Sequence, residues 1–140
     1  MRILFAADGS DYTKKALAFL VTHSEFLTPE GEVIVLHVQG TLTPRVTTML
    51  GASTVHAYHS EESAKVLEPI SAFLKRHKIA FRTSWVVGKA GEEIVNAATK
   101  EKAHMVVMGA HGHGFFGRIA MGSVALRVVT DATIPVLLVK

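Results

Sequence analysis

The chain has 140 residues, 49% of them hydrophobic, with 15 Lys and Arg against 12 Asp and Glu and no cysteine. That length fits one domain able to bury roughly 70% of its unfolded surface, with no need for disulfides and no thiolate metal site. A formal charge of +3, scattered apart from Lys75-Arg76-His77-Lys78, forms no basic stripe, so direct nucleic-acid binding is not expected. No apolar run approaches the roughly 20 residues that cross a bilayer. Met1-Arg2 leads straight into an apolar run too short for a secretory leader, so a soluble, cytoplasmic chain without membrane insertion is expected.

Residues 3–7 are a short apolar run that stops at Asp8-Gly9-Ser10, the pattern of a strand buried on both faces. Ser10 can cap a helix running to about residue 25, with Ala16, Leu17 and Leu20 on its inner face. Pro29-Glu30-Gly31 is a turn, and residues 33–38 form a second continuous apolar strand. Residues 39–55 show no period and read as a long connection holding Gly40, Pro44 and Gly51. A helix follows to His77, and Pro69 should kink it or cost about 3 kcal/mol. Residues 80–87 alternate, unlike the first two strands, so one face of this third strand is wet. Gly88-Lys89-Ala90-Gly91 opens a helix with Glu92 and Glu93 in its first turn and lysines at its end. Residues 104–108 are strand four, residues 123–130 the last helix, and residues 136–139 strand five.

Strands and helices alternate throughout, so the fold class is α/β with a five-stranded parallel sheet. Two strand orders compete, 2-1-3-4-5 and 3-2-1-4-5. The alternating third strand makes the better edge, which selects 3-2-1-4-5. The switch point then lies between strands one and four, where Asp8-Gly9-Ser10 faces residues 109–122, and ligands bind at such crevices. Strand five is an edge in either order, yet Val136-Leu137-Leu138-Val139 carries no charge. Such an edge invites a partner, and a homodimer paired along strand five is expected.

Beyond strand four come Gly109, Gly112, Gly114, Gly117 and Gly122, then Ser123 and a helix. Glycines let backbone N–H groups approach oxygens, and a helix N-terminus adds unpaired donors and partial positive charge. No Asp or Glu occurs from Lys102 through Thr130, while His111, His113, Arg118 and Arg127 do. The start at Gly122-Ser123 is therefore a better anion site than Gly88–Gly91, whose glutamates would repel a phosphate. Residues 112–117 also fit GxGxxG, but no acid follows at the next strand end to take a ribose, and no Walker A sequence is present. His111-x-His113 and His56/His59 lack an evident third ligand, so no metal site is expected. Phe115 and Phe116 read as packing, and Arg118 either neutralises phosphate or faces solvent.

Gly109-Ala110-His111-Gly112, nine residues, then Gly122-Ser123 resembles the G-x-x-G-(nine)-G-S/T signature of ATP-binding universal stress proteins. Asp8 after strand one, the Gly88–Gly91 helix start and the closing Pro-Val-Leu-Leu-Val strand match as well, and the similarity spans the chain. The resemblance implies one universal stress protein domain over residues 1–140 with the adenine nucleotide alpha hydrolase-like three-layer fold. It implies the 3-2-1-4-5 sheet, a dimer through strand five and ATP, ADP or AMP in the crevice. Carried over by position, Asp8 and the backbone of Val38 would meet adenine and ribose. Backbone N–H groups of Gly109, Gly112, Gly122, Ser123 and Val124 would take the phosphates, the Ser123 hydroxyl adding a donor. Ala7, Met108 and His111 complete the set. His104 stands where the family often has an acid, and Ala110-His111 varies the loop.

The expected function is regulatory: ATP, with Mg²⁺ bridging its phosphates, sets a conformation of residues 39–55 that another protein reads. No carboxylate pair or nucleophile–base constellation stands out. The competing readings are a slow ATPase or self-phosphorylating enzyme in the same pocket, and a dimeric adaptor whose pocket is empty.

Overall fold

A computed structural model describes residues 1–114 and 120–140. Its strands are β1 (Arg2–Ala6), β2 (Glu32–Gln39), β3 (Phe81–Val87), β4 (Met105–Gly109) and β5 (Val136–Val139). All neighbours pair in parallel, in the order 3-2-1-4-5. The helices among the described residues are α1 (Asp11–Thr22), α2 (Pro44–Leu50), α3 (Ala52–Arg76), α4 (Ala90–Lys100) and α5 (Ser123–Asp131).

The sheet is covered on both faces, and the strands' side chains sort themselves by the two-residue period. Ile3 and Phe5 of β1 join Val33, Val35 and Val107 under α1 and α3, packed by Leu17, Leu20, Leu67, Ile70 and Leu74. Leu4 and Ala6 join Ile34, Leu36, Val106 and Met108 on the other face, under Ile94 and Ala98 of α4 and Ala125 and Val128 of α5. This double burial is why β1, β2 and β4 read as unbroken apolar runs, while the edge strand β3 alternates.

Several boundaries depart from the sequence reading, most by one residue at a strand or helix end. The first helix stops at Thr22, and a 3₁₀ turn at Ser24–Phe26 completes the stretch. β4 lies one residue later than expected and takes in Gly109. The largest correction falls on residues 39–55, which are not a structureless connection. Thr43 caps α2 through Val46 N–H with Pro44 in its first turn, Gly51 ends it at φ +82°, and α3 starts at once. No α2 residue is buried: Val46, Met49 and Leu50, at i, i+3 and i+4 on one side of the helix, are all exposed.

Helix α3 runs unbroken from Ala52 to Arg76 with Pro69 inside it, on its exposed side. The proline removes one hydrogen bond at a cost of about 3 kcal/mol. Leu67, Ile70 and Leu74 on the opposite side are buried, each worth about 1.5–3 kcal/mol. Packing therefore outweighs the breaker. Pro69→Ala should raise unfolding free energy by about 2 kcal/mol, the recovered hydrogen bond less the entropy the proline took from the unfolded chain. Urea denaturation measures it; an unchanged or lower midpoint would show that α3 has already absorbed the proline.

Candidate functional site

At the switch point the chain leaves β1 and β4 toward opposite faces, and a cavity of about 320 Å³ opens between their ends. Ala7, Asp8, Val38, Met108, Gly109, His111, Gly112, Gly122, Ser123 and Val124 all line it. Ala6, Leu36, Ala90, Ile94, His113, Gly114 and Ala125 line it too and lie beyond the set expected from the sequence. Leu36 was reachable, since it lies two residues before Val38 on one face of β2. Ile94 was reachable in part: with Gly91 and Ala98 it marks the apolar side of α4, but that this side reaches the cavity is a tertiary fact. Phe115, Phe116, Gly117 and Arg118 lie outside the described residues.

The cavity has two ends of different chemistry. Leu36, Val38, Ile94 and Met108 make one wall apolar, suited to a flat ring. The other end is the start of α5. Its N-cap is Gly122, which has no side chain to satisfy the first amides, and its first turn holds no acid. The contrast with α1 and α2 is plain, since Ser10 and Thr43 cap those helices with their hydroxyls. Uncapped donors facing a cavity favour an anion there.

Close backbone approach explains two of the glycines. A Cβ at Gly109 would stand 2.6 Å from the Tyr12 Cβ and 3.0 Å from its carbonyl carbon. One at Gly112 would stand 2.6 Å from Asp8 Oδ2. Gly91 serves a different purpose, because its missing side chain makes room for the stem of Arg127 where α4 meets α5. Arg127 is then bound to Asp131 and, at 3.2 Å, to Glu92. The sequence groups Arg127 with the cations available to an anion; its ion pairs instead join α5 to α4.

Asp8 holds the β1–α1 turn. Its Oδ1 accepts from the Ser10 amide at 2.9 Å and the Thr13 hydroxyl at 2.7 Å. Ser10 in turn caps α1 by accepting from Thr13 N–H at 3.3 Å. Burial pushes the Asp8 carboxyl up, but hydrogen bonds from Ser10 and Thr13, with the charge of His113, outweigh it and leave Asp8 below the usual carboxylate range. His111 is buried beside Tyr12, ring centroids 5.0 Å apart and edge-on. His113 Nε2 donates to the Asp8 carbonyl at 2.7 Å. Among the described residues, no three His, Asp or Glu side chains come together to hold a metal ion.

A carboxyl whose pKa is depressed by folding stabilises the native state above its unfolded value, about 4, and loses that contribution as pH falls through the lower folded value. Asp8→Asn should therefore be less stable at neutral pH and show a flatter loss of stability below about pH 4. Chemical denaturation across pH checks this; parallel curves for both proteins would contradict it.

The model of the Universal stress protein family matches residues 1–140. Universal stress protein MJ0531 of Methanocaldococcus jannaschii is 30% identical over 141 residues, covering 99% of this chain and 81% of that protein. The solved structure of hypothetical protein MJ0577 is similar with a TM-score of 0.83 at 30% identity, over 99% of this chain and 94% of that one. A universal stress protein from Archaeoglobus fulgidus, solved in complex with dAMP, gives a TM-score of 0.73 at 22% identity, over 100% of this chain and 98% of that one. More distant members, at 16% and 18% identity with TM-scores of 0.70 and 0.66, were solved with AMP, in Arabidopsis thaliana, and with cAMP. The chain has the glycine signature, the sheet order and a sequence match along its whole length, and it belongs to the universal stress protein family.

Proposed function

We propose that this protein is a cytoplasmic, nucleotide-dependent regulator whose cavity binds ATP, or ADP or AMP, as one domain spanning residues 1–140. The observation that carries the reading is the uncapped, acid-free start of α5 at one end of a cavity whose other wall is apolar. An adenine ring suits the wall of Leu36, Val38, Ile94 and Met108, with Ala7 at the end of β1. Asp8 sits across from the glycine loop, where a carboxylate accepts from ribose hydroxyls. Phosphates go to the amides of Gly109, Gly112, Ser123 and Val124, with the Ser123 hydroxyl and His111 at the same end. The Gly122 amide, expected in this set from the sequence, already donates to Ala110 O at 2.7 Å, so Gly122 contributes room at the cavity wall instead. Relatives solved with dAMP, AMP and cAMP favour an adenine nucleotide over other anions. Mg²⁺ would be carried by the phosphates and water and would offset their charge. A chain without cysteine suits a reducing compartment.

The output goes to another protein through α2. This helix leaves Met49 76% exposed and follows directly from β2, whose Val38 lines the cavity. The molecule pairs with a second copy along β5. Val106 N–H bonds Pro135 O and Ala110 N–H bonds Val139 O, so alternate β5 residues face β4. The backbone of Val136 and Leu138 is left directed outward, the geometry for edge pairing.

Calorimetric titration with ATP should give a saturable heat in the wild type. Ser123→Asp should weaken it at least about tenfold by setting a carboxylate among the phosphates, while leaving the fold as stable or up to about 1 kcal/mol more so, because an acid suits a helix start. No heat with wild-type protein at millimolar ATP, or full affinity in the variant, would contradict the site. Sedimentation should show a dimer at micromolar concentration that Leu138→Pro converts to a folded monomer. A dimer that survives this substitution would place the interface elsewhere.

A further inference from the structure

The cavity wall has no fixed cation among its described residues. Its titratable lining groups are Asp8, His111 and His113, and it includes neither Lys nor Arg. His113 stands at the mouth. Its Nε2–H spans from the glycine loop to the Asp8 carbonyl at 2.7 Å, joining the two loops of the switch point. The ring also lies by Gly9, where an added Cβ would come 3.3 Å from Val66 of α3 and 3.9 Å from His113 Nε2. The bond to a carbonyl uses Nε2–H, which both the neutral ring and the imidazolium possess. Protonation at Nδ1 therefore adds charge without opening the clasp.

The charges around the ring are few. Asp8, on the β1–α1 turn, is lowered in part by the charge of His113. On α1, Asp11 is 3.8 Å from Lys14, and on α3, Glu62 is bound to Lys65 at 2.8 Å. The first turn of α5 carries no acid, and His111 on the same loop is buried. Arg118 lies outside the described residues.

Resting on the nucleotide reading, we propose that His113 sets the site's phosphate selectivity in a proton-dependent way: its imidazolium strengthens the hold on a nucleoside polyphosphate in acid and leaves the uncharged nucleoside unaffected. Binding a polyanion beside a histidine draws a proton onto the ring, so affinity rises as pH falls. The effect is a change in specificity, because adenosine offers the imidazolium nothing to pair with.

Calorimetry with ATP and with adenosine, on wild type, His113→Gln and His113→Lys, tests it. Glutamine keeps a side-chain N–H for the Asp8 carbonyl but does not titrate; lysine keeps its charge throughout. The ratio of wild-type to His113→Gln affinity for ATP should grow about 3- to 10-fold from about pH 8 to about pH 5.5, with no growth for adenosine. The terminal phosphate of ATP takes up a proton over the same range, so a fixed cation meets less charge in acid: the ratio of His113→Lys to His113→Gln should stay level or fall from about pH 8 to about pH 5.5, opposite to the rise expected of wild type. ATP binding with a flat wild-type to His113→Gln ratio would overturn the role of His113 alone. Absence of ATP binding by wild type at either pH would overturn the nucleotide reading, and this proposal with it.

Discussion

β1 and β4 are neighbours in the sheet, but the chain leaves their ends on opposite faces, toward α1 and α5. The crevice between them is only as good as the backbone that closes it. Gly109 lets the end of β4 lie against the backbone of Tyr12, and Gly112 lets the following loop pass Asp8. In each case a Cβ would fall 2.6 Å from an existing atom, a distance that packing does not tolerate. Remove these approaches and the loops separate, the start of α5 moves off the cavity, and the donors point at water. The glycines thus serve packing first, and any phosphate chemistry follows from where that packing leaves the amides.

Charge is arranged on the same plan. Two helices start at the cavity without a side-chain cap, α4 at Lys89 and α5 at Gly122. The first turn of α4 holds Glu92 and Glu93, and Glu92 is taken up by Arg127 from α5. The α5 start has no acid and keeps its field for whatever enters. The one carboxylate lining the cavity among the described residues, Asp8, is turned to account by the fold. One of its oxygens anchors the β1–α1 turn through Ser10 and Thr13. Its other oxygen, Oδ2, faces Gly112, 2.6 Å from where a Cβ there would stand.

Strand order is readable because burial leaves a mark on composition. Inside their first and last residues, β1 and β4, covered on both faces, are apolar throughout, and β2 is interrupted only by His37; of the two edges, β3 alternates and gives the order away, while β5 stays apolar and gives no such mark. The glycine spacing likewise marks which loop borders the cavity. Helix α2 escapes because it is only seven residues long: its cap signals, Thr43-Pro44 and Gly51, and the single i, i+3, i+4 set of Val46, Met49 and Leu50 fill too short a window to stand out as a period. Pro69 is legible as a local cost, but not as a residue the helix runs through, since the apolar side of α3 that overrides it is a tertiary fact. Arg127 is only half legible: its i,i+4 partner Asp131 lies on the same helix and can be read from spacing, but Glu92 meets it only when α4 and α5 pack together.

Everything functional turns on whether backbone amides of the glycine loop and the α5 start grip phosphate. An amide-resolved NMR titration reads those groups one by one. With ATP, the N–H resonances of Gly112, Ser123 and Val124 should move strongly and saturate together, and with adenosine they should move far less while Val38 and Ile94 still respond. Equal perturbation of the three amides by both compounds, or none by either, would contradict a phosphate grip at these groups.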